Sequence, residues 1–156
     1  PIYLLADSPG GSVISGQNLI TVMEASSRPV VVIDTGMCAS MAFMILEHAS
    51  KRFAINRAML MGHGASVGVM YQGKLDELVS RYTFLKLGVD KLDRAVAKRA
   101  GMTYEAFKAR SSQELWLDSS DALNEHFLDE IVSVTLPALS GITSSNNKLK
   151  QDLQAY

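Results

Sequence analysis

Three short segments of the chain carry residue types that together could perform nucleophilic hydrolysis. Ser40 comes soon after an apolar run that is typical of a buried strand, at a point where the strand would be followed by a helix. His63 closes a second apolar run, and the pair Gly10–Gly11 follows the first strand-like segment. A serine hydroxyl needs a base within hydrogen-bonding reach and backbone N–H groups that hold the oxyanion. The three segments therefore favour a serine hydrolase.

Each of these residues also has an ordinary structural explanation. Ser40 could be a small residue at the start of a helix, His63 a structural histidine, and Gly10–Gly11 a turn. Cys38 is another potential nucleophile, but a small buried cysteine is the commoner case. The order of the segments after successive apolar runs favours the hydrolase without deciding the question.

The start of a helix supplies backbone donors that such a centre needs. The N–H of Met41 would be free in the first turn, where the helix dipole also favours negative charge. A second donor has to come from another segment, and Gly10 and Gly11 can expose their N–H groups without obstruction by a side chain. An oxyanion is therefore expected between the glycine pair and Met41.

The elements that would position these residues alternate as in an α/β domain. Strands are expected over 2–6, 30–33, 51–55 and 58–61, and helices over 13–25 and 39–49. Gly36 is expected to end the second strand. This order predicts helices packed on a sheet.

Residues 73–100 predict a long amphipathic helix, because apolar residues recur there at helical spacing without a proline. Such a helix exceeds what a small α/β core can cover, so part of it is expected to project and pack against another subunit. A long surface helix on a monomer is the alternative. Further along we expect a helix from Thr103 to Arg110, an extended segment over 114–117, a helix over 118–126 and a strand over 131–134.

The composition excludes several classes of protein. The 156 residues, 47% of them hydrophobic, suit one domain with a real core. A net charge of −1 gives no attraction to nucleic acid or to an anionic membrane surface. A single cysteine excludes an internal disulfide and fits a reducing compartment. No apolar run approaches the roughly 18 residues that would span a bilayer. Because the chain starts at Pro1, close to a strand, a preceding segment is expected.

The three histidines, His48, His63 and His126, are too scattered along the chain to indicate a zinc site. His48 is expected to interact with carbonyl groups at the end of a helix. The eight methionines are expected to fill the core, and Met41 could also line a substrate pocket.

Five segments in order resemble motifs of one family, the proteolytic subunit of the Clp protease. Residues 7–13 (D-S-P-G-G-S-V) resemble the family's N-S-P-G-G-x-V, and residues 38–42 (C-A-S-M-A) its nucleophile turn A-A-S-M-G. Residues 51–53 match K-R-F, residues 61–63 (M-G-H) stand at M-I-H, and residues 114–117 (E-L-W-L) at D-x-[FW]-[LM]. The resemblance runs from Ile2 to about Ile131.

The resemblance implies a crotonase-like α/β fold of repeated ββα units with a long projecting handle helix. It implies a peptidase domain over residues 1–139, and the polar composition of residues 140–156 indicates a C-terminal tail. The implied catalytic residues are Ser40 as nucleophile, His63 as general base and Glu114 as triad acid. The implied oxyanion hole consists of the N–H groups of Gly11 and Met41, and the implied substrate-binding residues are Ser12, Val13, Gly64 and Ala65.

The same resemblance implies how the protein works as an assembly. A polypeptide substrate would lie extended beside the active site, inside a chamber formed by homo-oligomeric stacked rings. An ATP-driven unfoldase ring is the implied partner, whereas the peptidase itself needs no metal and no other cofactor. No nucleic acid or membrane partner is expected, and the expected location is cytoplasmic.

The chain departs from the family pattern at several positions. Glu114 replaces the usual triad Asp, Gly64 stands where a proline often follows the histidine, and His126 replaces a glycine before the last strand. Two residues are missing between Ser40 and Lys51, and the family's N-terminal axial loops and first helix are absent. Asp118 and Asp121 are alternative triad acids. A non-catalytic subunit of a mixed ring and a crotonase-type acyl-CoA enzyme are the alternative functions.

Overall fold

The computed structural model describes residues 1–66 and 72–133 of the chain. Six strands and five helices lie in these described ranges. In chain order they are β1 (Ile2–Ser8), α1 (Val13–Ala25), β2 (Val30–Ala39), α2 (Met41–Glu47), β3 (Lys51–Ile55), β4 (Met59–Gly62), α3 (Leu75–Arg99), α4 (Tyr104–Ser111), β5 (Leu115–Asp118), α5 (Ser119–Asn124) and β6 (Glu130–Val132). The order confirms the α/β prediction.

Strand β2 is the centre of the sheet. It pairs in parallel with β1 along one edge, while its other edge pairs first with β3 and then with β4. The sheet runs β5-β4-β2-β3-β6, with β1 added on β2, and among the strands of the described ranges only the β4–β5 pair is antiparallel. Because β2 changes partners along its length, its last residues are carried away from β3 and towards β4. Those last residues lead into the candidate site.

The prediction that Gly36 ends β2 is wrong. The strand continues through Gly36 to Ala39, and the following helix begins at Met41 and ends at Glu47, instead of spanning residues 39–49. A Cβ at Gly36 would lie 2.7 Å from Oδ1 of Asp7, so the glycine serves close packing of β1 on β2. The ladder with β4, which starts at Met37, carries the strand past the glycine.

The helices confirm most of the predicted bounds. Helix α1 spans the predicted residues and is capped by Ser12, whose Oγ accepts a hydrogen bond from the N–H of Ser15 at 3.3 Å. Helix α4 is capped by Thr103, whose Oγ1 accepts from the N–H of Ala106 at 3.1 Å. Helix α3 is the predicted long helix. Its buried residues all lie in its last third: Asp93, Val96 and Ala97.

The C-terminal part of the described chain differs from the sequence prediction by a few residues. Strand β5 spans Leu115–Asp118 rather than 114–117, and α5 ends at Asn124 rather than at residue 126. His126 adopts a φ of 64°, a conformation that glycine reaches at lower cost. The predicted last strand over 131–134 is observed as Glu130–Val132. Val134, the end of the predicted domain and the tail over 140–156 lie outside the described residues.

A buried ionic network attaches α2 to the rest of the domain. The Arg52 guanidinium donates to Glu47 Oε2 and to Asp129 Oδ1, both at 2.8 Å, and the side chains of Arg52 and Glu47 are almost fully buried. Burial raises the pKa of Asp129, but the hydrogen bonds from Arg52 outweigh it, so the net pKa lies below the ordinary value. Arg99, at the end of α3, donates to the carbonyl oxygen of Glu47 at 2.9 Å. The helix that follows the candidate nucleophile is therefore fixed at its far end.

The core of the domain lies between the sheet and the helices. Phe43 of α2 and Phe127 have ring centroids 5.8 Å apart, and Phe107 of α4 lies 6.5 Å from Phe127. Within the described residues, none of the helices combines the length and the apolar character that a membrane span requires.

Candidate active site

Ser40 lies at the junction of β2 and α2, in a conformation that few serines adopt. Its φ and ψ are 56° and −118°, so the chain turns sharply between strand and helix. Its N–H donates to the carbonyl oxygen of Met61 in β4 at 2.7 Å, and its hydroxyl makes no capping bond to α2. A sharp turn held by a neighbouring strand leaves the Ser40 hydroxyl free to interact with other side chains.

His63 is the residue that the Ser40 hydroxyl meets. It follows directly after β4, and its Nε2 lies 2.8 Å from Ser40 Oγ. The β2–β4 register pairs Ala39 with Met61, so the residues just beyond each strand end come together. A neutral imidazole accepts the serine proton at this distance, which is the geometry of a nucleophile and its general base.

The first residue of α2 and the glycine pair lie beside the turn that carries Ser40. Met41 is the first residue of α2, so its N–H has no partner within the helix. Gly10 packs directly on the turn, since a Cβ there would lie 2.7 Å from Ser40 Cβ and 2.8 Å from Met41 N. Gly10 adopts a φ of 98° and Gly11 a φ of 151°, with open space around Gly11. The glycine pair and the start of α2 thus meet at Ser40.

Glu114 lies just beyond the same ladder end as His63, but its carboxylate bonds to another residue. The antiparallel β4–β5 ladder ends with Gly62 opposite Leu115, so His63 and Glu114 are the first residues beyond it on the two strands. Glu114 Oε2 accepts a hydrogen bond from Trp116 Nε1 at 3.2 Å. Between the described residues Glu114 and His63 there is no hydrogen bond.

The alternative acids lie elsewhere. Asp118 is opposite Met59, at the far end of β4 from His63, and its Oδ1 accepts from the N–H of Asp121 as the cap of α5. Both aspartates therefore belong to the start of that helix.

The carbonyl oxygen of Ser111 is a shared acceptor for the backbone of Glu114 and for that of the residue after His63. It accepts from the N–H of Gly64 at 3.1 Å and from the N–H of Glu114 at 3.4 Å. Ser111 itself is buried at the end of α4. The residue after the histidine and the candidate acid are thus attached to one fixed oxygen.

Two hollows adjoin the predicted substrate-binding residues. A cleft of about 460 Å³ is lined by Gly11, Ser12 and Met41 together with apolar residues of β1 and α1. A second hollow of about 200 Å³ is lined by Gly64 and Ala65 together with residues of α3 and α4. Val13 is the first residue of α1. Space for a ligand therefore exists beside Gly11 and Ser12 and also beside Gly64 and Ala65.

Cys38 is not available as a nucleophile. Its side chain is fully buried, and burial together with the neighbouring Asp34 raises the pKa of the thiol far above its ordinary value. Asp34 is also fully buried, and burial raises the pKa of its carboxyl to about 6. Ser40, just beyond the end of this strand, is thus the nucleophile candidate.

The remaining histidines take structural positions. His48 Nδ1 lies 2.9 Å from Glu24 Oε1, so the prediction that His48 interacts with carbonyl groups is wrong: a carboxylate from α1 takes that place. The carbonyl oxygen of His126 accepts from Arg52 at 2.8 Å. Over residues 1–66 and 72–133, no group of three or more His, Cys, Asp and Glu residues could hold a metal ion.

Sequence reasoning missed three contributors to the site. The close packing of Gly10 on Ser40 and the carbonyl oxygen of Ser111 are backbone contacts between distant segments, and no local pattern signals them. The bond from Trp116 to Glu114 did have a signal, because residues two apart in a strand share a face of the sheet.

Comparisons with known proteins point to one family. The sequence model of the family described as Clp protease matches residues 1–135. The chain is 27% identical over 135 residues to the "ATP-dependent Clp protease proteolytic subunit 2" of Prochlorococcus marinus (strain NATL2A), covering 85% of this chain and 67% of that protein. It is 28% identical over 144 residues to the protein of the same name from Pseudomonas aeruginosa, covering 88% and 70%. The counterpart in Cutibacterium acnes is 31% identical over 134 residues, covering 85% and 62%.

Proposed function

The chain belongs to the Clp protease family, and from this membership we propose that it is a serine endopeptidase that cleaves unfolded proteins or peptides. One observation carries the proposal: Ser40 Oγ and His63 Nε2 lie 2.8 Å apart at the strand end where the family has its nucleophile turn. A serine becomes nucleophilic only when such a base takes its proton.

In the proposed reaction, His63 takes the proton of Ser40 while Oγ attacks the carbonyl carbon of a peptide bond. The N–H groups of Gly11 and Met41 hold the oxyanion, and the protonated His63 then gives its proton to the leaving amine. The acyl-enzyme on Ser40 is hydrolysed by water, which His63 activates in the same way. Glu114, whose carboxylate bonds to Trp116 in the structure, turns to His63 in this reaction, where it orients the imidazole and stabilises its protonated form. The steps need no metal ion or other cofactor.

The substrate would lie extended across the site. One side of it would contact Gly11, Ser12 and Val13, and the other Gly64 and Ala65, with side chains entering the two flanking hollows. Backbone contacts of this kind accept many sequences, which suits a peptidase for unfolded chains.

The proposed working form is a homo-oligomer of stacked rings that encloses the active sites, fed by an ATP-driven unfoldase ring. The curated relatives support this, since their names describe subunits of an ATP-dependent protease. The exposed first half of α3 supplies a surface on which two copies could meet. We place the protein in the cytoplasm, where a thiol such as that of Cys38 stays reduced.

Labelling with a fluorophosphonate tests the function directly. The intact chain is expected to gain one adduct on Ser40, found by mass spectrometry of peptides, and to cleave a fluorogenic peptide. The Ser40→Ala variant should show the same native mass and no adduct, with cleavage reduced by a factor of about 10⁴ or more. An intact chain that assembles but takes no label would instead indicate the non-catalytic subunit.

A further inference from the structure

Trp116, the single tryptophan of the chain, donates its indole N–H to the carboxylate that the triad requires. The bond to Glu114 Oε2 measures 3.2 Å. Trp116 is 49% exposed, so the ring lies at the surface of β5 rather than in the core. Its place in the structure is therefore not explained by packing alone.

The backbone places Glu114 and His63 at the same end of the β4–β5 ladder. The last pair of that ladder is Gly62 and Leu115, so His63 and Glu114 are the first residues beyond it on the two strands. The shared acceptor, the carbonyl oxygen of Ser111, fixes the N–H of Glu114 close to that of Gly64. Rotation of the Glu114 side chain alone could then exchange one donor for the other.

Glu114 has the features of a residue that can make such an exchange. It adopts a φ of 60°, which is uncommon outside glycine. Its side chain has one more rotatable bond than aspartate, so the carboxylate sweeps a wider arc from the same backbone. An ionised carboxylate accepts only, and each N–H donor in reach competes for it.

We propose that the indole of Trp116 competes with Nδ1–H of His63 for the carboxylate of Glu114. Trp116 is then a positioning residue that holds the acid away from the imidazole in the resting protein. The acid moves to His63 when the imidazole becomes protonated during the reaction. The inference rests on the proposed peptidase function, because it assigns Glu114 to the triad.

Removal of the indole N–H should make the triad easier to complete. Trp116→Phe keeps an aromatic ring and loses the donor. Because the bond is exposed to solvent, its net contribution is small although the acceptor is charged, and kcat on a fluorogenic peptide should rise about two- to five-fold with KM unchanged. A fall in kcat, or no change, would overturn the proposal.

A double-mutant cycle separates competition from a general effect of the ring. In the Glu114→Ala background the same Trp116→Phe change should leave kcat at the value of the single Glu114→Ala variant, because no side-chain acceptor remains for either donor. An equal rise in both backgrounds would mean that Trp116 acts elsewhere, and would overturn the proposal. Native mass and circular dichroism of each variant confirm that the fold is intact.

The single indole also gives a direct spectroscopic signal. In a protein labelled with ¹⁵N-tryptophan, one indole N–H cross-peak should shift on Glu114→Gln substitution, as the bond weakens. The same peak should shift when a fluorophosphonate modifies Ser40 and His63 becomes protonated, and should not shift when Ser40→Ala is treated in parallel. An indole cross-peak that shifts with neither change would overturn the proposed competition between Trp116 and His63.

Different results would overturn the proposed peptidase function and the proposed role of Trp116. Without any fluorophosphonate adduct on Ser40 the peptidase function fails, while the Glu114→Gln shift still reports on the indole bond. If Ser40 gains an adduct but the indole cross-peak does not shift, the peptidase function is supported and the proposed role of Trp116 is wrong.

Discussion

Gly10 lies against the turn that carries Ser40 more closely than a side chain would permit. A Cβ there would lie 2.5 Å from the carbonyl oxygen of Ala39 and 2.7 Å from Ser40 Cβ, and φ is 98°. We expect Gly10→Ala to push the glycine segment away from Met41 and open the oxyanion hole. Loss of one such donor costs about 10²- to 10³-fold in kcat, so peptide cleavage should fall by that factor.

Gly101 is the matched control for this substitution. It adopts a φ of 71°, a Cβ there would meet open space, and it follows α3 away from the site. Gly101→Ala should lower the free energy of unfolding by about 1 kcal/mol and leave kcat/KM of the folded protein unchanged. Full kcat/KM in Gly10→Ala would mean that the site does not depend on this contact.

The elements show where sequence reasoning succeeds. Helix α1 matches its predicted bounds and α3 lies within residues 73–100, because apolar spacing and capping residues are local signals. The end of β2 was missed, because Gly36 reads as a breaker although packing against Asp7 and pairing with β4 continue the strand. Ser40 and His63 are predicted as neighbours from their places after strands. The strand period also predicts Glu114 and Trp116 on one face, but it does not decide whether the carboxylate bonds to Trp116 or to His63.

The bend of β2 contains a carboxyl whose ionisation opposes folding. Asp34 is fully buried where β2 leaves β3, its Oδ1 accepts from the N–H of Gly36 at 3.0 Å, and burial raises its pKa from 3.8 to about 6. A raised pKa means that this group's contribution to stability is complete below pH 4 and is lost as the pH rises through 6. At pH 7 the loss is up to about 3 kcal/mol.

Asp34→Asn should therefore increase the free energy of unfolding at pH 7 and change it little at pH 3.5, as measured by urea denaturation across that range. Asp129→Asn is the control of opposite sign, because hydrogen bonds from Arg52 lower the pKa of Asp129. It should lower stability at pH 7 more than at pH 3. A stability gain for Asp34→Asn that is equal at both pH values would contradict the buried ionisation.

At the scale of the whole molecule, the first half of helix α3 is not covered by the rest of the domain. Leu75, Val79 and Tyr82 are 73%, 54% and 55% exposed and lie one turn apart on a single side of α3. In the last third of the same helix, Val96 and Ala97 pack into the core. An apolar stripe of this kind, continuous with a well-packed helix, is typical of a surface that a second copy covers.

Val79→Glu should dissociate the proposed stacked rings. It would bury an unpaired carboxylate between copies, which costs several kcal/mol per contact, and the cost is repeated around a ring. Native mass spectrometry is expected to show a species of about half the mass of the parent assembly. Ala95→Glu introduces the same charge at an exposed position of the half that packs on its own domain, and should keep the parent mass. An unchanged mass for Val79→Glu would place the contact between copies on another surface, because a stripe buried in the assembly could not accept the charge.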